Sequence, residues 1–247
     1  SRAMHIPRFY IPQSLATGET LVLDDQAAHH VKQVLRLGPG AALRVFDGAG
    51  SEHHASLLDV QRARVSVEIG AAYTSNTESS LNIILAQGIP RGDRMDFILQ
   101  KAVELGVSLI QPLWMERSQA RTKGERLEKR MRHWQKVMIN ACEQCGRSTL
   151  PGIDRPAGFT SWLDAGHTAD TRILLNPDAG NLLTDLEPPR ASILLLVGPE
   201  GGISDAEQVH AGRAGFISIA LGPRVLRTET ASLAVLAGLQ LLWGDFR

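Results

Sequence analysis

The chain has 247 residues, 43% of them hydrophobic and 21% charged, enough for one large core or two ordinary ones. Its 26 basic and 26 acidic side chains cancel, which excludes a general cationic coat for nucleic acid, and two cysteines exclude a disulfide framework. No apolar run reaches the roughly 18–20 residues of a membrane span and no signal-peptide pattern precedes Met4, so a cytoplasmic protein is expected.

Ser1-Arg2-Ala3 reads as a tag remnant and is set aside. Residues 4–73 form short strand patterns, RFYIP, TLVL, ALRVFDG, HHASLLDV and RVSVEIGA, parted by glycine and aspartate turns and one helical piece, DDQAAHHVKQVLRL. Many short strands with turn signals predict a small β-barrel. Residues 74–80, TSNTESS, are polar and aperiodic, and are expected to be a linker.

The pattern then changes. LNIILAQGI is an uninterrupted apolar run and predicts a buried strand. In RGDRMDFILQKAVELGV, Met95, Ile98, Leu99, Ala102 and Val103 recur at helical spacing, and Gly106 marks the end. LIQPLWM reads as a strand. Over 125–146, Leu127, Met131, Trp134, Met138, Ala141, Cys142 and Cys145 make one helical stripe. RILLNP, SILLLVGP and FISIALG are further strands, SDAEQVHAGRAG a helix, and 230–243 the last helix. Continuous apolar strands alternating with helices predict a mainly parallel α/β sheet.

Charge is unevenly spread. Residues 116–147 carry nine Lys or Arg against four Glu, whereas 148–247 carry seven Arg against eleven acids. A basic stripe on a neutral chain suits local phosphate contact, with a solvated helix face as the plainer reading.

LLLVGPEGGISDAE reads as strand, glycine loop and helix, with Ser204-x-x-Glu207 as a capping box. It is neither GxGxxG nor a Walker A loop, which disfavours a dinucleotide or a nucleoside triphosphate. LGPRVLRTETA repeats the arrangement one strand later, with Thr228 or Thr230 able to cap a helix beginning near Ala231. That helix, ASLAVLAGLQLLW, has only Ser232 and Gln240 as polar positions, so it must be buried or lie in an interface. Together the two glycine loops, carrying Glu200, Arg227 and Glu229, could wall a polar pocket at the carboxyl ends of neighbouring strands. The C-x-x-C of ACEQCGR lies at a helix end on the apolar stripe and lacks a second cysteine pair, so core packing is expected rather than zinc or redox chemistry. For His29-His30 and His53-His54 a surface or RNA-contact role is expected.

IPRGDRMDFILQKAVELGVSLIQPLWMERS, ACEQCGR, LLLVGPEGGISDAE and LGPRVLRTETA, in this order, resemble the signature blocks of the RsmE family, bacterial methyltransferases that make 3-methyluridine in 16S ribosomal RNA of the small subunit. The likeness extends to RFYIP and HHVKQVLRLGPGAALRVFDGAG, and departs at Cys142 and Cys145, where small residues such as Ser are common in the family. It implies a PUA-like barrel over 4–73 and a SPOUT α/β domain over 81–247, with a carboxyl-terminal trefoil knot, S-adenosylmethionine bound in the knot, no metal, and a homodimer packed partly through the last helix. The cofactor residues it implies are Leu175, Asn176, Gly198, Pro199, Glu200, Gly201, Gly202, Leu221, Gly222, Leu226, Arg227, Thr228 and Thr230. Arg91 or Arg227 would stabilise the uridinate and Glu229 accept the N3 proton, while Arg8, Arg36, Arg117, Arg121, Lys123 and Arg147 would contact RNA and Phe9 pack in the core. Two further readings stay open: the same fold acting on another RNA target, and a non-catalytic RNA-binding factor.

Overall fold

The computed structural model describes residues 5–62 and 64–247, so the tag reading at Ser1-Arg2-Ala3 and the expected domain start at residue 4 lie outside the described residues. Two compact units emerge. One holds the chain up to Glu78 together with Cys142–Leu150, and the other holds Ser79–Ala141 together with Pro151–Arg247.

In the first unit β1 (Arg8–Tyr10), β2 (Thr20–Val22), β3 (Ala42–Phe46), β4 (Glu52–Val60) and β5 (Val65–Tyr73) form a curled five-stranded sheet in the order β1-β3-β4-β5-β2. β1 runs parallel to β3, and the other pairs are antiparallel. Alternation turns Val65, Val67 and Ile69 of β5 and Ala55 and Leu57 of β4 into one core with Phe9, Val31, Leu43 and Val45. Phe9 is 4% exposed, and its burial is worth roughly 1.5–3 kcal/mol. The helical piece between β2 and β3 divides into α1 (Asp25–His29), capped by the Asp24 carboxylate on Ala27 N–H, and a π-helical turn over His30–Val34.

Arg8 and Arg147 depart from the expectation of RNA contact. The Arg8 side chain is 7% exposed: its Nε donates to Glu52 Oε1 at 2.8 Å, and its other nitrogens donate to the carbonyls of Cys142, Glu143 and Arg147. Arg147 is buried in a bidentate pair with Glu78, at 2.9 and 2.7 Å. Both charges are spent inside the unit and are withheld from a phosphate. Burial alone would raise the Glu52 carboxyl, but hydrogen bonds from Arg8, Ser148 and Tyr73 outweigh it and hold the group below its ordinary value. His53 is also buried rather than at the surface. Cys142 is fully buried and its thiol is pushed up to about 12 by burial, an inert core thiol.

The second unit is a parallel sheet. β6 (Asn82–Gly88), β7 (Leu109–Trp114), β8 (Gly152–Ile153), β10 (Thr171–Leu175), β11 (Asn181–Leu182), β12 (Ser192–Val197) and β13 (Ile217–Ala220) follow the order β11-β13-β10-β12-β6-β7-β8, with β9 (Ala157–Gly158) also on β7. Every pair is parallel. Ile193 to Val197 are all buried, as a strand covered on both faces requires. In α2 (Arg94–Glu104) the buried residues are Met95, Ile98, Leu99, Ala102 and Val103, the set the spacing predicts. α3 (Gly124–Cys145) buries Leu127, Trp134, Met138 and Ala141, while its last turn is counted with the first unit. α4 (Phe159–Asp164), which the sequence pattern did not single out, buries Phe159, Trp162 and Leu163. α5 (Asp205–Arg213) starts on the expected capping box. α6 (Thr228–Trp243) starts three residues before the expected point.

Candidate functional site

Because the strands are parallel, the loops that follow β13, β10, β12, β6 and β7 leave one edge of the sheet side by side. The first three of these loops and the start of α6 wall a cavity of about 600 Å3. Twelve of the thirteen residues expected to bind cofactor line it, and Thr230 does not. Apolar contacts come from Leu175, Val197, Ile219, Leu221 and Leu226, with polar groups from Asn176, Glu200 and the glycine loops. That mix suits a ligand with an apolar body and a hydrogen-bonding rim, such as a nucleoside. Gly202 and Gly222 have φ of 78° and 68°, the left-handed region where a side chain is strained, so both loops need glycine to turn.

The loops are fastened from beneath by buried polar groups. Gln87, at the end of β6, is fully buried. Its Nε2 donates to Thr228 Oγ1 at 3.1 Å and to the Gly88 carbonyl at 2.9 Å, and its Oε1 accepts from Ser232 Oγ at 2.6 Å. Thr228 Oγ1 donates in turn to the Gly198 carbonyl at 2.6 Å. Thr228 therefore does not act as the expected N-cap: Arg227 holds that position without a side-chain cap, and the hydroxyl ties α6 to the glycine loop. A Cβ on Gly88 would stand 2.7 Å from Pro199 N, so only glycine lets β6 approach that loop. Gln87 interrupts an apolar run, and that interruption was the one available signal for it.

α6 buries polar as well as apolar residues: Val235, Leu236 and Leu239 are fully buried. Its two polar interior residues, Ser232 and Gln240, are fully buried, whereas Leu241 is 60% exposed. Gln240 Nε2 donates to the Leu105 carbonyl at 3.0 Å, and its Oε1 accepts from Ser79 Oγ at 2.7 Å.

Of the expected catalytic residues, Arg227 and Glu229 line the cavity, but Arg91 does not. Arg94, which the sequence pattern did not single out although it stands three residues from Arg91, lies between two carboxylates. It is 2.6 Å from Glu200 and 3.8 Å from Glu229. Burial would raise the Glu200 carboxyl, yet hydrogen bonds from the Arg91 backbone, its own backbone and Arg94 hold it below the ordinary range. Glu229 Oε2 is buried without a hydrogen-bond partner among the described residues. Arg36, Arg117, Arg121 and Lys123 are exposed. Among the described residues, no group of three or more His, Cys, Asp or Glu could hold a metal ion.

A parallel sheet whose glycine loops wall a nucleoside-sized cavity, in a chain with a small curled β-unit, is the build of an RNA methyltransferase. Residues 77–240 match the RNA methyltransferase domain and residues 23–70 the RNA methyltransferase PUA domain. A Buchnera aphidicola protein named ribosomal RNA small subunit methyltransferase E is 33% identical over 242 residues, 98% of this chain and 96% of the relative. A crystal structure of the protein of that name from Neisseria gonorrhoeae, bound to S-adenosyl methionine, is 43% identical with a TM-score of 0.92, covering 98% of this chain and 100% of the other. A methyltransferase from Legionella pneumophila in complex with the same cofactor is 38% identical with a TM-score of 0.94, over 98% and 100% of the two chains. The chain belongs to the ribosomal RNA small subunit methyltransferase E family.

Proposed function

We propose that the chain methylates N3 of a uridine in 16S ribosomal RNA of the small subunit, with S-adenosylmethionine held in the 600 Å3 cavity. The observation that carries this reading is the convergence of residues 198–202, 221–222, 224–228 and 175–176 on that one cavity, in a family whose solved relatives bind S-adenosylmethionine. The carboxyl-terminal segment is threaded as the trefoil knot the resemblance implies.

S-adenosylmethionine supplies a methyl group already activated on a sulfonium, so no metal is needed. The protein must align the uridine, exclude water and manage one proton. N3 of uridine carries a proton at neutral pH. Glu229 accepts that proton, directly or through a water; its Oε2 has no hydrogen-bond partner among the described residues, and Arg94 Nε stands 3.8 Å from its Oε1. N3 then takes the methyl group, its C–S bond electrons return to sulfur, and S-adenosylhomocysteine leaves neutral at sulfur. Arg227, which lines the same cavity, faces the negative charge that develops on the uracil ring.

RNA outside the site is gripped by Arg36, Arg121 and Lys123, and Arg117 meets RNA at the edge of the cavity; all four are exposed. The protein works in the cytoplasm as a homodimer that covers the exposed apolar side of α6, including Leu241.

The test is calorimetric titration with S-adenosylmethionine, followed by nucleoside mass spectrometry of treated ribosomal RNA. Micromolar binding and 3-methyluridine are expected. In Gly201→Trp both should vanish, because a side chain there meets Arg117 at 3.0 Å and fills the cavity. A methylated ribose or another base would overturn the target, and absent binding would overturn the cofactor site.

A further inference from the structure

A second cavity, of about 560 Å3, opens beside the first and is lined by Arg91, Arg94, Arg117, Ser118, Glu200 and Gly201. Arg94, Arg117, Glu200 and Gly201 line both cavities, so the wall between them is shared. The loops after β6 and β7 supply Arg91 and Arg117, and the loop after β12 supplies Glu200.

Three arginines here stand against one carboxylate. Glu200 Oε1 accepts from the Arg91 backbone N–H and from Arg94 Nη1, each at 2.6 Å, so its charge is committed to Arg94. Arg117 donates from Nη1 to the Gly201 carbonyl at 2.8 Å, a neutral partner that leaves its charge uncompensated. The Arg91 guanidinium has no hydrogen-bond or ion-pair partner among the described residues. Ser118 Oγ accepts from Met115 N–H at 3.2 Å, which leaves its own hydrogen free to donate. Two unmatched guanidiniums and a free hydroxyl in one concavity form a donor set for a single tetrahedral anion, and arginine grips phosphate oxygens in pairs.

We propose that this cavity is the seat of an RNA phosphodiester next to the target nucleotide, with Arg91 and Arg117 as its clamp. The assignment rests on the methyltransferase reading of the neighbouring cavity. It makes Arg91 a positioning residue that acts on RNA, and it leaves the chemistry of the uracil to Arg227 and Glu229. Because Glu200 and Gly201 belong to both walls, filling the seat also firms the loop that holds the cofactor.

The test uses Arg91→Ala, Arg91→Lys and Arg117→Ala in the full chain. RNA affinity is measured by fluorescence anisotropy across a salt series, cofactor affinity by calorimetry, and steady-state kinetics with RNA varied. Each alanine variant should bind RNA about tenfold more weakly. The slope of log affinity against log salt should shrink by about 0.7–1 for each phosphate no longer neutralised. Cofactor affinity without RNA should stay within about twofold for Arg91→Ala, because the backbone N–H to Glu200 remains. KM for RNA should rise with kcat nearly kept, and Arg91→Lys should recover part of the loss. Inorganic phosphate should compete with RNA in the parent and fail to do so in the variants.

Unchanged RNA affinity and salt slope in both alanine variants would overturn the seat. So would a hundredfold loss of kcat in Arg91→Ala at unchanged KM, which would move Arg91 to the chemistry. Phosphate binding that depends on Arg91 but does not compete with RNA would make it a free-anion site, and would overturn the RNA assignment. Failure of the parent to bind S-adenosylmethionine would instead strike the methyltransferase reading, while the RNA titrations would still judge the seat.

Discussion

Thr228→Val isolates the hydroxyl that fastens α6 to the glycine loop. Valine keeps the shape of threonine, so packing around the buried residue is preserved and only hydrogen bonds change. The Gly198 carbonyl loses its donor at 2.6 Å, and Gln87 Nε2 loses its acceptor at 3.1 Å while keeping the Gly88 carbonyl at 2.9 Å. One buried acceptor is thus orphaned and one donor half satisfied. Leaving a buried polar group unpaired costs about 1–3 kcal/mol. A central value of about 2 kcal/mol lowers Tm by roughly 4–8 °C in a chain of this size. Gly198 opens the loop around the cavity, so S-adenosylmethionine should also bind about tenfold more weakly. Thr228→Ser keeps the hydroxyl and should lose well under half as much of both. Thermal unfolding and calorimetric titration of the two variants decide the matter. If Thr228→Val unfolds and binds like the parent, or if Thr228→Ser is equally damaged, the hydrogen-bond account is wrong.

Arg8→Ala strands the buried Glu52 carboxylate and should cost about 3–5 kcal/mol, read as a lower urea midpoint; an unchanged midpoint would show the pair to be dispensable. Glu143 is pushed up from 4.5 to about 7, mainly by burial and against the hydrogen bond from Tyr10 N–H. Between these values the folded state holds a proton that the unfolded state has released, so stability is highest below about pH 4.5 in this contribution and declines as pH rises through 7. Glu143→Gln should flatten that part of the pH–stability curve, and an unaltered curve would refute the shift. Arg36 sits at φ 50°, in the left-handed region. Arg36→Gly should therefore weaken RNA binding while changing stability by less than about 1 kcal/mol, because the relieved strain offsets the added chain entropy. A large stability loss would show that the arginine packs rather than binds.

Much of the frame is legible in the chain, and particular residues show where that legibility ends. The apolar set of α2 and the capping box Ser204–Glu207 are local signals, set by spacing and by short-range hydrogen bonds, and the structure reproduces them. The glycine loops are visible for the same reason. Arg8 and Arg147 mislead because an exposed and a buried arginine look alike in sequence. Only the partner decides between them, and Glu52 and Glu78 lie 44 and 69 residues away. The stripe of the last helix is also ambiguous: its apolar surface announces burial, yet the helix turns its two polar residues inward.

The sequence by itself determined the longer strands and helices, the mainly parallel sheet, the two glycine loops and the family, because periodicity, turn chemistry and ordered motifs act within a few residues; it left α4 and the short strands β8, β9 and β11 unseen. Only the tertiary structure decided that Gln87, Thr228, Ser232 and the Gly198 carbonyl meet beneath the cavity, and that Arg94 stands between Glu200 and Glu229. Gln87 and Thr228 are 141 positions apart in the chain, and Arg94 and Glu200 are 106 apart. The physical reason is that a hydrogen bond or an ion pair depends on position in space, and a parallel sheet brings the ends of distant strands to one edge.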